Sequence, residues 1–220
     1  MFKLIKTEKG LELENLLEPK IKPMKIDFAS GKAEHRRKFG GGLGQYIAKA
    51  VGIKGNYKPY VLDATAGMGR DSFVLATLGC KVLMLERNEI IFKLLEDGLK
   101  RGEADEEISE IIGRMKVVNA NSVKYIGAIL ENEKPDVIYL DPMFPHSKKS
   151  RLVKKEMRIF RELVGNDLDA KELFEVALKK AKKKIVVKRP ARSEFLCDKK
   201  PNFQIKGRVN RFDVYLPNLN

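Results

Sequence analysis

The chain has 220 residues, of which 43% are hydrophobic and 8% aromatic, and its formal net charge is +14. This composition supports a packed core and argues against global disorder, and the length suits one α/β domain with modest additions. No apolar run approaches the ~18 residues of a membrane span, the N-terminus lacks the features of a signal peptide, and two cysteines are too few for a disulfide framework or a zinc site. We therefore expect a cytoplasmic protein without a metal.

The charge is distributed unevenly along the chain. Residues 1–60 contain 13 Lys/Arg and 6 Asp/Glu (+7), residues 61–141 contain 10 and 15 (−5), and residues 142–220 contain 21 and 9 (+12). An acidic middle between two basic flanks predicts that the flanks contact a polyanion while the middle holds a different ligand. A basic surface that is simply solvated is the alternative.

Residues 1–55 are predicted to form a small basic extension of irregular structure, packed on a domain that spans 56–220. In that domain, segments with strand and helix patterns alternate. Strands are predicted at 60–65, 81–86, 116–120, 136–140 and 184–189, helices at 70–79, 89–102, 105–115 and 169–183, and an antiparallel pair at 203–216. Asp169 is predicted to be the N-cap of the last helix. Five parallel strands followed by an antiparallel hairpin make a mostly parallel, seven-stranded sheet, which is the outline of the Rossmann-like class I methyltransferase fold. An NAD dehydrogenase would continue with further strand–helix units.

The loop between the first parallel strand and the first helix predicts a cofactor site. Gly67 and Gly69 allow a tight turn and a close approach of the backbone to a ligand. Glu86 ends the next strand, where a carboxylate can accept both hydroxyls of an adenosine ribose. The loop lacks a full G-x-G-x-x-G and a Walker lysine, and Asp63 and Asp71 would repel a pyrophosphate. These features favour S-adenosylmethionine, which carries an amino group and a sulfonium.

Asn121 and Ser122 follow the third parallel strand, at a position that flanks the adenine ring in this fold. Their amide and hydroxyl groups are suited to hydrogen bonds with the edge of adenine. An ordinary turn at the end of a strand is the alternative.

The fourth parallel strand is predicted to deliver Asp141 to the topological switch point of the sheet, where ligands bind. The segment "DPMF" resembles the (Asn/Asp)-Pro-Pro-(Tyr/Phe) motif of enzymes that methylate exocyclic amines, with Met143 in place of the second proline. Hydrogen bonds from the amine to Asp141 and to the Pro142 carbonyl would favour a pyramidal nitrogen whose lone pair faces the methyl group. Phe144 offers a flat face on which the base can stack. The residues therefore predict a methyltransferase that acts on an exocyclic amine of RNA.

Basic residues near this site predict contacts with RNA phosphates. The segment "HRRKFGGG" combines basic residues, an aromatic ring and glycines, which suits a loop that contacts phosphates; a flexible solvated loop is the alternative. His146 is interpreted as a solvated loop histidine, with an RNA contact or a proton transfer as the alternatives. The basic segment 148–161, which follows the catalytic loop, is predicted to be a rail for phosphates, and Lys188 and Arg189, at the end of the fifth parallel strand, are predicted to clamp the RNA. The candidate RNA contacts are His35, Arg36, Arg37, Lys38, Lys148, Lys149, Lys154, Lys155, Lys188 and Arg189.

As a set, "HRRKFGGG", "GIKG", "DATAGMGRDSFVLA", "MLERN", "YLDPMFPH", "LVKKEMR", "VVKRP" and "RFDVY" resemble the bacterial ribosomal RNA small subunit methyltransferase J family, which forms N2-methylguanosine in 16S rRNA. The resemblance runs from about residue 24 to the end, and residues 1–23 match poorly. It implies guanine N2 as the target, the small ribosomal subunit as the partner, and cofactor contacts at Arg70, Asp71, Glu86, Arg87, Asn121, Ser122 and Asp141. Two alternatives stay open, an adenine-N6 methyltransferase of RNA or DNA and a non-catalytic RNA-binding protein of ribosome assembly.

Overall fold

The computed structural model describes residues 1–143, 163–165 and 168–217. Within these ranges the strands are β1 (Phe2–Thr7), β2 (Gly10–Asn15), β3 (Val61–Asp63), β4 (Val82–Glu86), β5 (Met115–Asn119), β6 (Val137–Leu140), β7 (Lys184–Pro190), β8 (Phe203–Lys206) and β9 (Asn210–Tyr215). The helices are α1 (Gly31–Phe39), α2 (Tyr46–Val51), α3 (Arg70–Thr77), α4 (Glu89–Glu103), α5 (Ser109–Ile112), α6 (Ser122–Ala128) and α7 (Ala170–Lys180). None of the helices in these ranges has the length and apolar character needed to cross a membrane.

Seven strands form one sheet in the order β5-β4-β3-β6-β7-β9-β8. The strand β3 pairs in parallel with both β4 and β6, so the direction of winding reverses between β3 and β6. In such sheets ligands bind outside the carboxyl ends of the strands at this reversal. The strands β8 and β9 complete one side as an antiparallel pair. The predicted fold, a mostly parallel seven-stranded sheet with a C-terminal antiparallel hairpin, is confirmed.

The central strands are short apolar runs because helices cover both faces of the sheet. Side chains alternate between two cores, so that Tyr139 and Val186 belong to one core and Ile138 and Val187 to the other. The first core contains residues of α3 and α4, and the second contains residues of α6 and α7. Each large apolar side chain buried in this way contributes about 1.5–3 kcal/mol to the free energy of unfolding. This packing fixes the positions of the strand ends.

The N-terminal extension is more regular than predicted. It contains the β1–β2 hairpin and the helices α1 and α2. Met24, Ile26, Phe28 and Ile47 are buried in the same core as the side chains of α3 and α4. A domain boundary near residue 55 stays a prediction.

The helices differ from the prediction in two places. The helix expected at 105–115 is reduced to the four residues of α5, because Asp105 accepts a hydrogen bond from the Glu107 backbone N–H at 3.0 Å and holds the preceding residues in a turn. Conversely, α6 was not predicted. Asn121 begins this helix by accepting a hydrogen bond from the Lys124 N–H at 3.1 Å, a capping interaction common for asparagine.

Candidate active site

The carboxyl ends of the central parallel strands surround a cavity of about 490 Å³. The cavity is therefore at the position where the sequence predicted both the cofactor and the catalytic loop. The cavity is lined by twelve of the site residues predicted from sequence, which are Arg36, Asp63, Gly67, Arg70, Asp71, Glu86, Arg87, Ser122, Asp141, Pro142, Lys188 and Arg189.

The loop after β3 depends on glycine at two positions. Gly67 and Gly69 have φ values of 54° and 67°, in the left-handed region that side chains with a Cβ disfavour. A Cβ at Gly69 would lie 2.9 Å from the Leu95 side chain and 3.1 Å from the Phe28 ring. Gly67 thus shapes the cavity wall, whereas Gly69 allows α3 to pack closely against α4.

Glu86 holds the glycine turn from the end of β4. The residue is only 5% exposed. One carboxylate oxygen accepts a hydrogen bond from the Gly67 N–H at 3.1 Å, and the other accepts one from the Asn88 N–H at 2.7 Å. A carboxylate oxygen has two acceptor positions, so this fixed carboxylate can also accept hydroxyl groups of a ligand in the cavity.

Asp63, at the end of β3, holds the loop after β3 through hydrogen bonds. It is buried and accepts hydrogen bonds from the Thr65 N–H at 3.1 Å and from the Ser72 hydroxyl at 2.5 Å. Burial raises the pKa of Asp63 to about 7. The side chain therefore connects the start of the loop to the first turn of α3.

Asp71 is the centre of a charged network beside the cavity. One of its oxygens accepts from Arg36 Nη1 at 2.7 Å, and the other accepts from the Tyr139 hydroxyl and from Lys188 Nζ, each at 2.7 Å. Burial acts to raise the pKa of Asp71, but the Lys188 and Arg36 charges outweigh it and hold this pKa well below its ordinary value. Burial, with Asp71 nearby, raises the pKa of Tyr139 well above its ordinary value. The network contains an ionised Asp71 and a neutral tyrosine.

Asp141 lies directly after β6 at the mouth of the cavity. Its backbone N–H donates to the Thr65 hydroxyl at 2.6 Å, which ties the loop after β6 to the loop after β3. Its carboxylate, with 41% of the side chain exposed, accepts from Lys188 Nζ at 2.8 Å. Pro142 is buried. The catalytic carboxylate predicted from sequence thus faces both the cavity and solvent.

The basic segment "HRRKFGGG" forms much of α1, and only part of it faces outward. Arg36 points into the cavity wall toward Asp71. Arg37 donates to Glu107, and Lys38 pairs with Glu34 at 2.7 Å. The His35 ring lies 5.2 Å from the Phe39 ring, and Phe39 is 73% exposed. Acidic partners therefore offset part of the positive charge of α1, while an aromatic ring on the same helix is exposed.

Residues 1–217 match the family model described as "Putative SAM-dependent methyltransferase". Curated relatives named Ribosomal RNA small subunit methyltransferase J are 52% identical in Haemophilus influenzae (strain PittGG), over 97% of this chain and 82% of the relative, and 53% identical in Aeromonas salmonicida (strain A449), over 98% and 86%. The chain belongs to the ribosomal RNA small subunit methyltransferase J family. A crystal structure of a SAM-dependent methyltransferase from Neisseria gonorrhoeae is 38% identical to it, with a TM-score of 0.80 over 99% of this chain and 83% of that one.

Membership of this family covers the N-terminal residues as well. The predicted resemblance began at about residue 24, whereas the family match begins at residue 1, so the family extends over residues 1–23 too. The β1–β2 hairpin thus lies within the family match, and the hydrogen bond from the Leu13 N–H to the Met24 carbonyl at 2.7 Å joins it to the core segment that follows.

S-adenosylmethionine is the cofactor of this family, and the cavity has groups that fit it. The Glu86 carboxylate beside the Gly67 backbone suits a ribose, as predicted. Asp71, however, has a different role from the one predicted. Asp71 was expected to repel a pyrophosphate, but Arg36 and Lys188 neutralise it, so its charge does not discriminate between ligands. The fit depends on Glu86 and the glycine turn.

The two residues predicted to flank adenine differ in position. Ser122 lines the cavity and donates a hydrogen bond to the Ala64 carbonyl at 2.6 Å. Asn121 is exposed, is not part of the cavity wall, and caps α6. An adenine contact therefore stays a prediction, better supported for Ser122 than for Asn121.

Lys188 and Arg189, predicted as an RNA clamp, both point inward. Arg189 is 6% exposed, and its Nε and Nη2 donate to the Glu194 carbonyl at 3.0 and 2.6 Å. It stabilises the loop after β7, so its burial argues against a phosphate contact. Lys188 joins the two aspartates described above. Both residues lie near the end of a strand, as predicted. The direction of their side chains was not predictable, because it depends on partners that are distant in sequence.

Three contributors to the site were missed. Tyr139 looked like an ordinary strand residue, although a tyrosine in an otherwise aliphatic strand was a usable signal. Thr65 gave no distinct pattern. Asp169 was interpreted as the N-cap of α7, but its carboxylate accepts from Arg87 Nη1 at 3.0 and 2.9 Å across the cavity. The predictions for Phe144, His146, Lys148, Lys149, Lys154 and Lys155 lie outside the described residues.

Proposed function

We propose that this protein transfers the methyl group of S-adenosylmethionine to the exocyclic N2 amine of a guanosine in 16S rRNA of the small ribosomal subunit. The observation that carries the proposal is the position of Asp141, at the switch point of the sheet and at the mouth of the cavity that contains Glu86 and the glycine turn. The names of the curated relatives support small-subunit rRNA as the substrate. Guanine N2 follows from the resemblance of the motifs. We expect this activity in the cytoplasm, where ribosomes are found.

The proposed chemistry depends on making a poor nucleophile reactive. The lone pair of an exocyclic amine is delocalised into its ring, so the amine needs help to become pyramidal. The Asp141 carboxylate and the Pro142 carbonyl would each accept a hydrogen bond from one N–H of the amine. These two hydrogen bonds would turn the lone pair of the nitrogen toward the cavity. S-adenosylmethionine supplies an electrophilic methyl group when it is bound. Positioning by a preorganised acceptor is then the main contribution of the protein to the rate.

The RNA would be held by surfaces around the cavity mouth. On α1, Arg37 and Lys38 can exchange their acidic partners for phosphates, and the release of counterions would drive this exchange. Phe39 and Tyr46 are 73% and 49% exposed, and such rings provide platforms on which unpaired bases stack. We retain the predicted rail of basic residues at 148–161 as part of this proposal.

An adenine-N6 methyltransferase is the second candidate, because the "DPMF" segment suits either amine. A non-catalytic assembly protein is the third candidate, and the intact Glu86 and Asp141 argue against it. A transfer assay separates these candidates. The protein would be incubated with tritiated S-adenosylmethionine and with small subunits, free rRNA or duplex DNA that lack the modification. We expect label in rRNA and not in DNA. Label confined to DNA, or RNA binding without cofactor binding in a calorimeter, would contradict the proposal.

A further inference from the structure

Lys188 occupies an unusual position between two carboxylates. Its ammonium lies 2.7 Å from Asp71 Oδ2 and 2.8 Å from Asp141 Oδ2. The lysine side chain is 21% exposed and that of Asp71 is 12% exposed. A lysine that gripped RNA would extend its ammonium away from the protein, whereas this one points toward the site of chemistry.

We propose that Lys188 is a positioning residue for methyl transfer, which holds the Asp141 carboxylate in its reactive orientation by anchoring it to Asp71. This inference rests on the proposed function, because it assigns Lys188 a role through Asp141. It replaces the earlier interpretation of Lys188 as an RNA clamp.

The anchor is rigid on one side and adjustable on the other. Asp71 is fixed by three donors, which are Arg36 Nη1, the Tyr139 hydroxyl and Lys188 itself. Asp141, by contrast, has 41% of its side chain exposed and begins the loop that follows β6. Lys188 therefore connects a buried carboxylate held by three donors to an exposed catalytic carboxylate.

The charges in the network are balanced. Arg36 and Lys188 carry two positive charges, and Asp71 and Asp141 carry two negative charges that alternate with them. Burial acts to lower the pKa of Lys188, but the two aspartates outweigh it and hold this pKa above its ordinary value, so the lysine stays charged. Without the ammonium, two carboxylates that now share one donor would face each other, and repulsion would move the more exposed one, Asp141, away.

The test compares Lys188→Met with Lys188→Arg. Lys184→Met is the matched control, because Lys184 lies at the opposite end of the same strand. Three quantities are measured for each folded variant: the single-turnover rate with saturating rRNA and cofactor, the dissociation constants of both, and the dependence of RNA affinity on salt. A misplaced catalytic group lowers the rate by roughly 10- to 100-fold. We expect such a loss in Lys188→Met with RNA affinity and salt dependence unchanged, and wild-type behaviour in Lys184→Met.

Lys188→Arg should recover most of the rate, because a guanidinium can bridge two carboxylates. A saturated rate equal to wild type in Lys188→Met, with weaker RNA binding and a smaller salt dependence, would overturn the proposal and restore the RNA clamp. Equal losses in the Met and Arg variants would also overturn it.

Failure of the proposed function would be visible separately, as absence of transfer by the wild type. In that case urea unfolding still tests the link. The midpoint shifts of Lys188→Met and Asp141→Asn should be non-additive in the double variant, and additive shifts would refute the coupling.

Discussion

Replacing Glu86 with glutamine tests the cofactor site with a change of a single atom in the side chain. In the wild type, the two carboxylate oxygens accept from the N–H groups of Gly67 and Asn88. Glutamine has one acceptor oxygen and an NH₂ group, so one of these two N–H groups would face another donor. The perturbation therefore acts on the glycine turn and on the ligand at the same time.

The expected magnitude follows from the hydrogen bonds that the ribose hydroxyls would lose at this carboxylate. A hydrogen bond to a charged group contributes about 1.5–3 kcal/mol, and a buried donor without an acceptor costs about 1–3 kcal/mol. Because Glu86 is 5% exposed, water cannot easily replace the missing acceptor. We expect the affinity for S-adenosylmethionine to fall by about 1–3 kcal/mol, which is roughly 5- to 150-fold.

Isothermal titration calorimetry measures this change, and circular dichroism shows whether the variant is folded. Glu89→Gln is the matched control. Its carboxylate is close in sequence, but it is 69% exposed and pairs with Lys93 on the surface of α4, so cofactor affinity should not change. If folded Glu86→Gln binds the cofactor as tightly as the wild type, Glu86 does not contact the ribose.

Three further outcomes follow from the site. Asp141→Ala should bind rRNA normally in a filter assay but lose most single-turnover transfer, because affinity comes from basic surfaces; a rate near wild type would remove its catalytic role. Arg37→Gln combined with Lys38→Gln should weaken rRNA binding and reduce the salt slope by up to about two units, with unchanged cofactor affinity, whereas an unchanged slope would contradict an RNA contact. Asp63 has a pKa of about 7 in the folded protein and an ordinary value of 3.8, so the folded state binds the proton more tightly and stability is lost as pH rises between these values. Asp63→Asn should remove this loss of unfolding free energy, which is up to about 1.4 kcal/mol per pH unit and is measured by urea unfolding. If the wild type and Asp63→Asn lose stability in parallel as pH rises, Asp63 is not the group that titrates.

The sequence located the functional edge of the protein because parallel strands end where their ligands bind. Glu86 and Asp141 each follow an apolar run, and this local pattern was enough to place both at the cavity. The fold was predictable for the same reason, since the five parallel strands have strong and regular patterns.

What could not be predicted depends on contacts between distant segments. Arg36 and Asp71 are separated by 35 residues, and Lys188 and Asp71 by 117. Nothing in the local pattern of either basic segment indicates that its side chain turns inward to a carboxylate. The N-terminal hairpin was missed although β2 (GLELEN) alternates apolar and polar residues, which was a usable signal, and α6 was missed because it is only seven residues long.

We propose that this protein methylates an exocyclic amine of small-subunit rRNA, at N2 of guanine. The most direct measurement is nucleoside analysis of unmodified small subunits after reaction with labelled S-adenosylmethionine. The rRNA is digested to nucleosides, which are separated and identified by mass spectrometry. We predict label in N2-methylguanosine at one position. Label in N6-methyladenosine would contradict the assignment of the base, and label on a ring carbon or on a ribose would contradict the role of Asp141 as the acceptor for an amine.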